Sequence, residues 1–194
     1  MRLSDKEFRA MDTPLRRFLQ RHMEFPVFRL LGLRKQNQDI LEIGCGNGYG
    51  AALLMRLKPK SYVGIDLMPE MIELAKKQPK LDNAEFLSID AADLSCFSCG
   101  CKDVVVIFGI LHHIPKWRQV LKECHRLLKP GGRLFLEEPS ATAIKLWDKI
   151  FKWGHPDDGL FSFRQLEEHL QSLGFVIRHR LGVQLFRSYC IAKS

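Results

Sequence analysis

Residues 39–48 read Asp39-Ile40-Leu41-Glu42-Ile43-Gly44-Cys45-Gly46-Asn47-Gly48. The first five make a short apolar strand carrying an acid near its end, and a glycine turn follows at once. Ala51, Leu53, Leu54 and Leu57 then fall on what reads as the apolar side of a helix. A strand, a glycine-rich turn and a helix in that order build a cradle of nucleotide size. Without Cβ atoms the turn lets backbone come close to a ligand, and the helix N-terminus presents unpaired N–H groups. Spacing separates the ligands such a cradle takes. A dinucleotide fold needs Gly-x-Gly-x-x-Gly/Ala over a pyrophosphate, and Gly46-x-Gly48-x-x-Ala51 satisfies that pattern loosely. The other frame, Glu42-x-Gly44-x-Gly46-x-Gly48, puts an acid two residues before the first glycine.

The chain beyond the turn favours the second frame. Residues 61–66 read as a second strand closed by Asp66, about 20 residues past the glycines, where both folds keep an acid for a ribose hydroxyl pair. Pro69 opens a helix, with Glu70 and Glu73 complementing its dipole. Residues 84–89 form a third strand, followed by Asp90-Ala91. Residues 103–108 form a fourth, continuous in Val and Ile as a strand buried on both faces should be. Gly109-Ile110-Leu111-His112-His113-Ile114-Pro115 comes next, then a helix, then Lys129-Pro130-Gly131-Gly132 leading into a fifth strand at 133–138.

Taken together, these motifs resemble the class I S-adenosylmethionine (SAM) methyltransferases, in the small-molecule, type 11-like branch. The resemblance is detailed over residues 39–138 and looser beyond. It implies an α/β, Rossmann-like three-layer sandwich around a seven-stranded, mostly parallel sheet with one antiparallel strand near the C-terminal edge. It also implies SAM as cofactor, with S-adenosylhomocysteine as product. SAM carries an ammonium and a sulfonium and no phosphate, so the acid at Glu42 suits its charge. The glycine turn contributes Gly44, Cys45, Gly46 and Gly48. Asp66 and Leu67 belong to the ribose side, Asp90 accepts from the adenine amino group, the Ala91 N–H meets a ring nitrogen, and Gly109 closes the site after strand four.

Charge is unevenly spread in these 194 residues. Residues 1–38 hold nine Lys and Arg against four Asp and Glu, residues 39–144 hold thirteen of each, and residues 145–194 hold eight against five. The excess lies outside the SAM-binding core, in segments that cover the substrate side of this fold. An anionic or membrane-associated substrate explains it, and so does a solvated basic face. No apolar run approaches the ~20 residues of a membrane span, and the first residues lack the apolar core of a signal peptide. A cytoplasmic protein is the expectation. Cys96, Cys99 and Cys101 cluster between strands three and four. No second pair sits at zinc-finger spacing, so reduced bystander thiols are expected and no metal site.

The chain divides into an N-terminal helical cap (1–38), the SAM core (39–138) and a substrate-side segment (139–194), all in one domain. Thr13 caps and Pro14 opens a helix whose Leu15, Phe18, Leu19, His22 and Phe25 recur at helical spacing, with Pro26 as a break or kink. Packing of that stripe on the sheet with the basic side wet is expected; a lid and a membrane-surface helix are the alternatives. Trp117, Val120, Leu121, Cys124, Leu127 and Leu128 make a helical stripe for one sheet face. Ser162-x-x-Gln165 is a capping box, Gly174 stops the helix it opens, and two strands with a short turn around Gly182 form a hairpin.

Methyl transfer is an in-line displacement, so a protein chiefly aligns the partners and excludes water. A base is needed only where the nucleophile must lose a proton. His112 and His113 are the catalytic candidates, with a bond to a backbone carbonyl as the plainer role for one of them. Alternation lets only one of Glu137 and Glu138 face the pocket. His155-Pro156-Asp157-Asp158 and the aromatics Phe151, Trp153, Phe161 and Phe163 lie where the acceptor site is usually roofed, and a turn and a core account for them equally. No Asp/Asn-Pro-Pro-Tyr/Phe or Pro-Cys segment follows strand four, which disfavours nucleic acid as substrate. The acidic loop of protein arginine methyltransferases is not matched either. The expected partner is a small-molecule methyl acceptor, anionic, aromatic or lipid-like, with peripheral membrane contact through the basic N-terminal helix left open. A catalytically silent SAM-binding scaffold and, remotely, an NAD-type oxidoreductase are the competing accounts.

Overall fold

A computed structural model describes residues 13–79, 81, 84–151 and 159–194. The sheet has seven strands in the order β3-β2-β1-β4-β5-β7-β6. They are β1 (Asp39–Ile43), β2 (Ser61–Asp66), β3 (Ala84–Ser88), β4 (Lys102–Phe108), β5 (Leu128–Pro139), β6 (Phe175–Val183) and β7 (Phe186–Lys193). Strands β1 to β5 pair in parallel, and β7 inserts antiparallel between β5 and β6. The turn expected around Gly182 falls two residues later, at Gln184-Leu185, with Gly182 itself paired to Arg187 in the ladder; so tight a link forces β6 and β7 to run in opposite directions. The order reverses between β1 and β4, and open α/β sheets bind ligands at that switch, beyond the carboxyl ends of their strands.

Helices cover both faces. On one lie α5 (Trp117–Leu127) and α7 (Phe163–Ser172). Trp117, Val120, Leu121, Cys124 and Leu127 are buried there against Val105, Leu134 and Leu136. Each such aliphatic side chain contributes roughly 1.5–3 kcal/mol by burial. The capping box at Ser162 and Gln165 opens α7, its Oγ accepting from Gln165 N–H at 3.2 Å. Gly174, at φ +86°, follows its end. On the other face lie α3 (Tyr49–Leu54), α4 (Pro69–Lys76) and the N-terminal helices. A sixth helix, α6 (Ala141–Phe151), starts where β5 ends.

The N-terminal helices depart from the expected arrangement. Helix α1 (Pro14–Leu19), capped by Thr13, passes into a π-turn at Gln20–Glu24 and on into α2 (Phe25–Leu30). Pro26 does not end the helix: it follows the wide turn, where Phe25 N–H reaches back five residues to Gln20 O, and the chain runs on helically to Leu30. The wide turn rotates the helix between its two ends. Gln20, Glu24, Phe25, Phe28 and Leu31 face inward, while Leu15, Phe18 and His22 face solvent. The stripe read from the sequence therefore points the wrong way over its first two turns. The residues at 151–158 singled out by the sequence lie outside what is described, apart from the backbone of Phe151; Phe161 and Phe163 are core.

Candidate functional site

The site is built where β1, β2 and β4 end. Gly44 N–H and Cys45 N–H both donate to Ile65 O, at 2.8 and 2.9 Å, folding the glycine turn across the end of β2. Asp66 pins the same turn from below. Its Oδ2 accepts from Gly46 N–H at 3.0 Å and its Oδ1 from Met68 N–H at 2.9 Å. Burial holds the Asp66 carboxyl above its ordinary range, and these N–H groups oppose the shift. Gly46 takes φ +51°, and a Cβ there would meet nothing within 4 Å. Its backbone thus faces open space.

Two clefts meet at Gly44. The first is lined by Ile43, Ile65, Asp66, Leu67, Asp90, Ala91, Ile110 and His113 among others, and encloses about 550 Å³ open to solvent. The second is lined by Arg16, Arg17, Gln20, Glu42, Cys45, Gly46, Asn47 and Tyr49. The two clefts share Gly44 as a wall; together, as the groove of this site, they present acids at the β2–β3 side and arginines with a carboxylate under helix α1.

Glu42 is wholly buried at that end. The Tyr62 hydroxyl donates to its Oε2, and burial raises its carboxyl to about 8 against the pull of that bond. A Cβ on Gly50 would lie 2.1 Å from Glu42 Oε1 and 3.0 Å from Gln20 Nε2, so the bare glycine is what admits the carboxylate beneath α3. Arg16 reaches over the groove, pairing with Glu24 and donating to Phe108 O at 3.4 Å.

The sequence-derived candidates divide accordingly. Glu42, Gly44, Cys45 and Gly46 line the second cleft, with Gly44 shared; Asp66, Leu67, Asp90, Ala91 and His113 line the first. Gly48 borders neither. At φ +82° it packs against Ala75, allowing α3 and α4 to close together. Gly109 is half-buried at the end of β4, where a Cβ would find only Glu137 Oε1, at 4.0 Å. His112 turns away from the groove onto Glu138 in a buried hydrogen bond, with 2.7 Å between Nδ1 and Oε2. Glu138 also accepts from Leu111 N–H at 2.7 Å, and burial pushes its carboxyl up to about 8.

Alternation does send Glu137 and Glu138 to opposite faces, but neither lines the groove and both are buried. Glu137 lies under the N-terminal helices, where burial first and Glu24 second raise its carboxyl. Sequence reasoning missed Arg16, Arg17, Gln20 and Tyr62. The i, i+4, i+8 alignment of Arg16, Gln20 and Glu24 on one helix face was the available signal.

Comparison with known proteins follows the same outline. A methyltransferase domain model matches residues 41–136. The chain belongs to the class I SAM-dependent methyltransferases, type 11-like. It is 43% identical over 114 residues to the phthiotriol/phenolphthiotriol dimycocerosates methyltransferase of Mycobacterium leprae, covering 58% of this chain and 42% of that protein. Its identity to the ubiquinone biosynthesis O-methyltransferase of Xanthomonas oryzae is 31% over 105 residues, or 53% of this chain and 44% of the relative. The matches thus span less than half the length of those relatives. A crystal structure of a SAM-dependent methyltransferase from Aquifex aeolicus superposes over the whole of both chains with a TM-score of 0.77 at 19% identity, which speaks for the fold.

SAM is the cofactor of this methyltransferase family, and the groove fits it. Gly46 offers bare backbone to open space, and the groove carries carboxylates at one end and arginines beside a buried glutamate at the other. Among the described residues no group of His, Cys, Asp and Glu is arranged to hold a metal ion. No helix of the described residues is long and apolar enough to cross a membrane.

Proposed function

We propose that this chain moves a methyl group from SAM to a small-molecule acceptor of lipid-like or aromatic character. The observation that carries the reading is the pair of clefts that adjoin at Gly44, one lined by Asp66 and Asp90 and the other by Arg16, Arg17 and Glu42. Asp66 and Asp90 hold the adenosine side, with the Ala91 N–H beside them. Arg16 or Arg17 receives the carboxylate of the methionyl end and Glu42 its ammonium. When bound, SAM supplies a methyl group on a sulfonium with a neutral leaving group. The protein's share is alignment and exclusion of water.

An acceptor hydroxyl must lose its proton as the new bond forms. His113, which lines the first cleft, is the residue in reach of that role. His112 acts through it: fixed by Glu138, its ring lies 4.1 Å from that of His113, centroid to centroid, and holds it in place. The names of the two relatives support an apolar acceptor and transfer to oxygen. The basic N-terminal segment adds peripheral contact with a membrane to the same reading.

Calorimetric titration with S-adenosylhomocysteine, with NADH in a parallel cell, tests the cofactor assignment. Micromolar binding of S-adenosylhomocysteine alone is expected. Binding of NADH, or of neither, overturns it.

A further inference from the structure

We propose that the carboxyl edge of the sheet, around the mouth of the groove, docks on an anionic lipid bilayer through three separate elements. The inference deepens the functional reading, which supplies the reason for bringing an apolar acceptor to this edge, but it stands on a different set of residues. Helix α1 exposes Leu15 (66%) and Phe18 (56%). Helix α6, which starts beyond β5, exposes Leu146 and Ile150 one turn apart. The β6–β7 turn exposes Val183 and Leu185.

Hydrogen bonds and register bring the three to one edge. Arg16 of α1 reaches the last carbonyl of β4, at Phe108. Ser140 N–H, at the start of α6, donates to Leu185 O at 2.9 Å. Phe186 pairs with Pro139, the last residue of β5.

Large aliphatic and aromatic side chains left in water on three neighbouring elements form more than scattered exposure. What accompanies them identifies the partner. The exposed positions between them are basic or neutral: Arg21 beside Phe18, and Lys145 and Lys149 beside Leu146 and Ile150. Among the described residues of these elements the only acids are Glu24, buried and paired with Arg16, and Asp148, half-buried. Among the described residues this apolar ridge is interleaved with Lys and Arg and carries no fully exposed carboxylate, which matches a surface with an apolar interior and a negatively charged rim. A protein partner asks for no such uniform sign, whereas anionic headgroups over acyl chains do. The π-turn completes the geometry. It turns Arg16 and Gln20 into the groove while the same helix turns Leu15 and Phe18 outward, so the docked face and the groove share one wall.

The test is flotation with vesicles of phosphatidylcholine alone and of phosphatidylcholine mixed with phosphatidylglycerol, using the whole chain. The chain is expected to float with the mixed vesicles and not with phosphatidylcholine alone, and to be released by high salt. Lys145→Glu with Lys149→Glu lowers the partition coefficient at least about fivefold for each lysine. Phe18→Ser with Ile150→Ser lowers it comparably without changing its salt sensitivity. Both variants keep the thermal midpoint and the S-adenosylhomocysteine affinity of the parent, which separates lost docking from lost folding.

Failure of the parent to float with mixed vesicles overturns the proposal, and so does undiminished flotation of both variants. A dimer in light scattering that falls to monomer in Phe18→Ser, with no vesicle binding, assigns the face to a second copy instead. Flotation without S-adenosylhomocysteine binding would sink the cofactor reading and leave the docking surface standing.

Discussion

Strand β1 carries an acid at each end, and the two ends behave in opposite ways. At the amino end Asp39 accepts from Ser61 Oγ at 2.8 Å and from Lys129 Nζ at 2.9 Å, and Lys129 also reaches Asp103 at 2.9 Å. The lysine and serine bring the Asp39 carboxyl down to about 2. Three residues on, burial takes Glu42 up to about 8. The amino edge is a closed network in which charges are matched. At the carboxyl edge Glu42, Asp66, Glu137 and Glu138 are all held above their ordinary range by burial. Matched charges serve the fold; of these four, Glu42 and Asp66 line the clefts, and poorly solvated carboxylates there are what a ligand with cationic groups stabilises.

Substitutions at the carboxyl edge should therefore fall on binding as well as stability, and those at the amino edge on stability alone. The largest effect is expected at Asp66. Asp66→Ala removes the acceptor of Gly46 N–H and Met68 N–H and, on the proposed reading, the ribose contact as well, and should weaken S-adenosylhomocysteine about 10- to 100-fold by calorimetry. An unchanged Kd would remove Asp66 from the site.

Next comes Gly50→Ala. The new methyl collides with a carboxylate that Tyr62 and complete burial prevent from moving, so the urea midpoint should fall by the equivalent of about 1–3 kcal/mol. A stable Gly50→Ala protein would mean that Glu42 is free to shift.

The third prediction concerns pH. Glu42 stands near 4.5 in the unfolded chain and about 8 in the fold, so between those values the native state keeps a proton that the unfolded state has lost. Stability should fall as pH rises through that window, by at most about 1.4 kcal/mol per pH unit from this group. Glu42→Gln should flatten the decline measured by denaturant titration from pH 5 to 8. Asp39 has the opposite sign. Its contribution is complete above pH 3.8 and is lost as pH falls through 2.

The smallest effect belongs to Lys129→Ala. A half-exposed network of this kind is worth about 1 kcal/mol, and S-adenosylhomocysteine affinity should not change. A change in affinity would break the division between the two edges.

Strands β1 to β5 and the acids at their carboxyl edge were legible because each of those strands has an apolar run followed by a carboxylate or glycine, and the crossover helices carry apolar stripes. The antiparallel pairing of β6 with β7 was legible from the short link between them, but that β7 and not β6 lies against β5 came from the family resemblance alone. The end of the groove under α1 was not legible, for a physical reason. Helix α1 faces a polar cleft with Arg16 and Gln20, so its inward side is not its apolar side, and the π-turn at Gln20–Glu24 abolishes the constant phase on which periodicity depends. The roles of Glu137 and Glu138 were half legible. Alternation separated them, but that Glu138 holds His112 while Glu137 faces Glu24 depends on contacts spread across the chain.

That π-turn also makes the helix a phase device. One residue of α-helix is about 100° of rotation, and the wide turn at Gln20–Glu24 carries one residue more than an α-turn. It absorbs that extra residue, and so keeps Arg16 and Gln20 on the same inner face as Phe28 and Leu31. Deletion of a single residue within Gln20–Glu24 would therefore leave an unbroken α-helix with the same inner face and with Leu15 and Phe18 still in water. Relatives one residue shorter here are expected to carry a plain α-helix over the same seven strands.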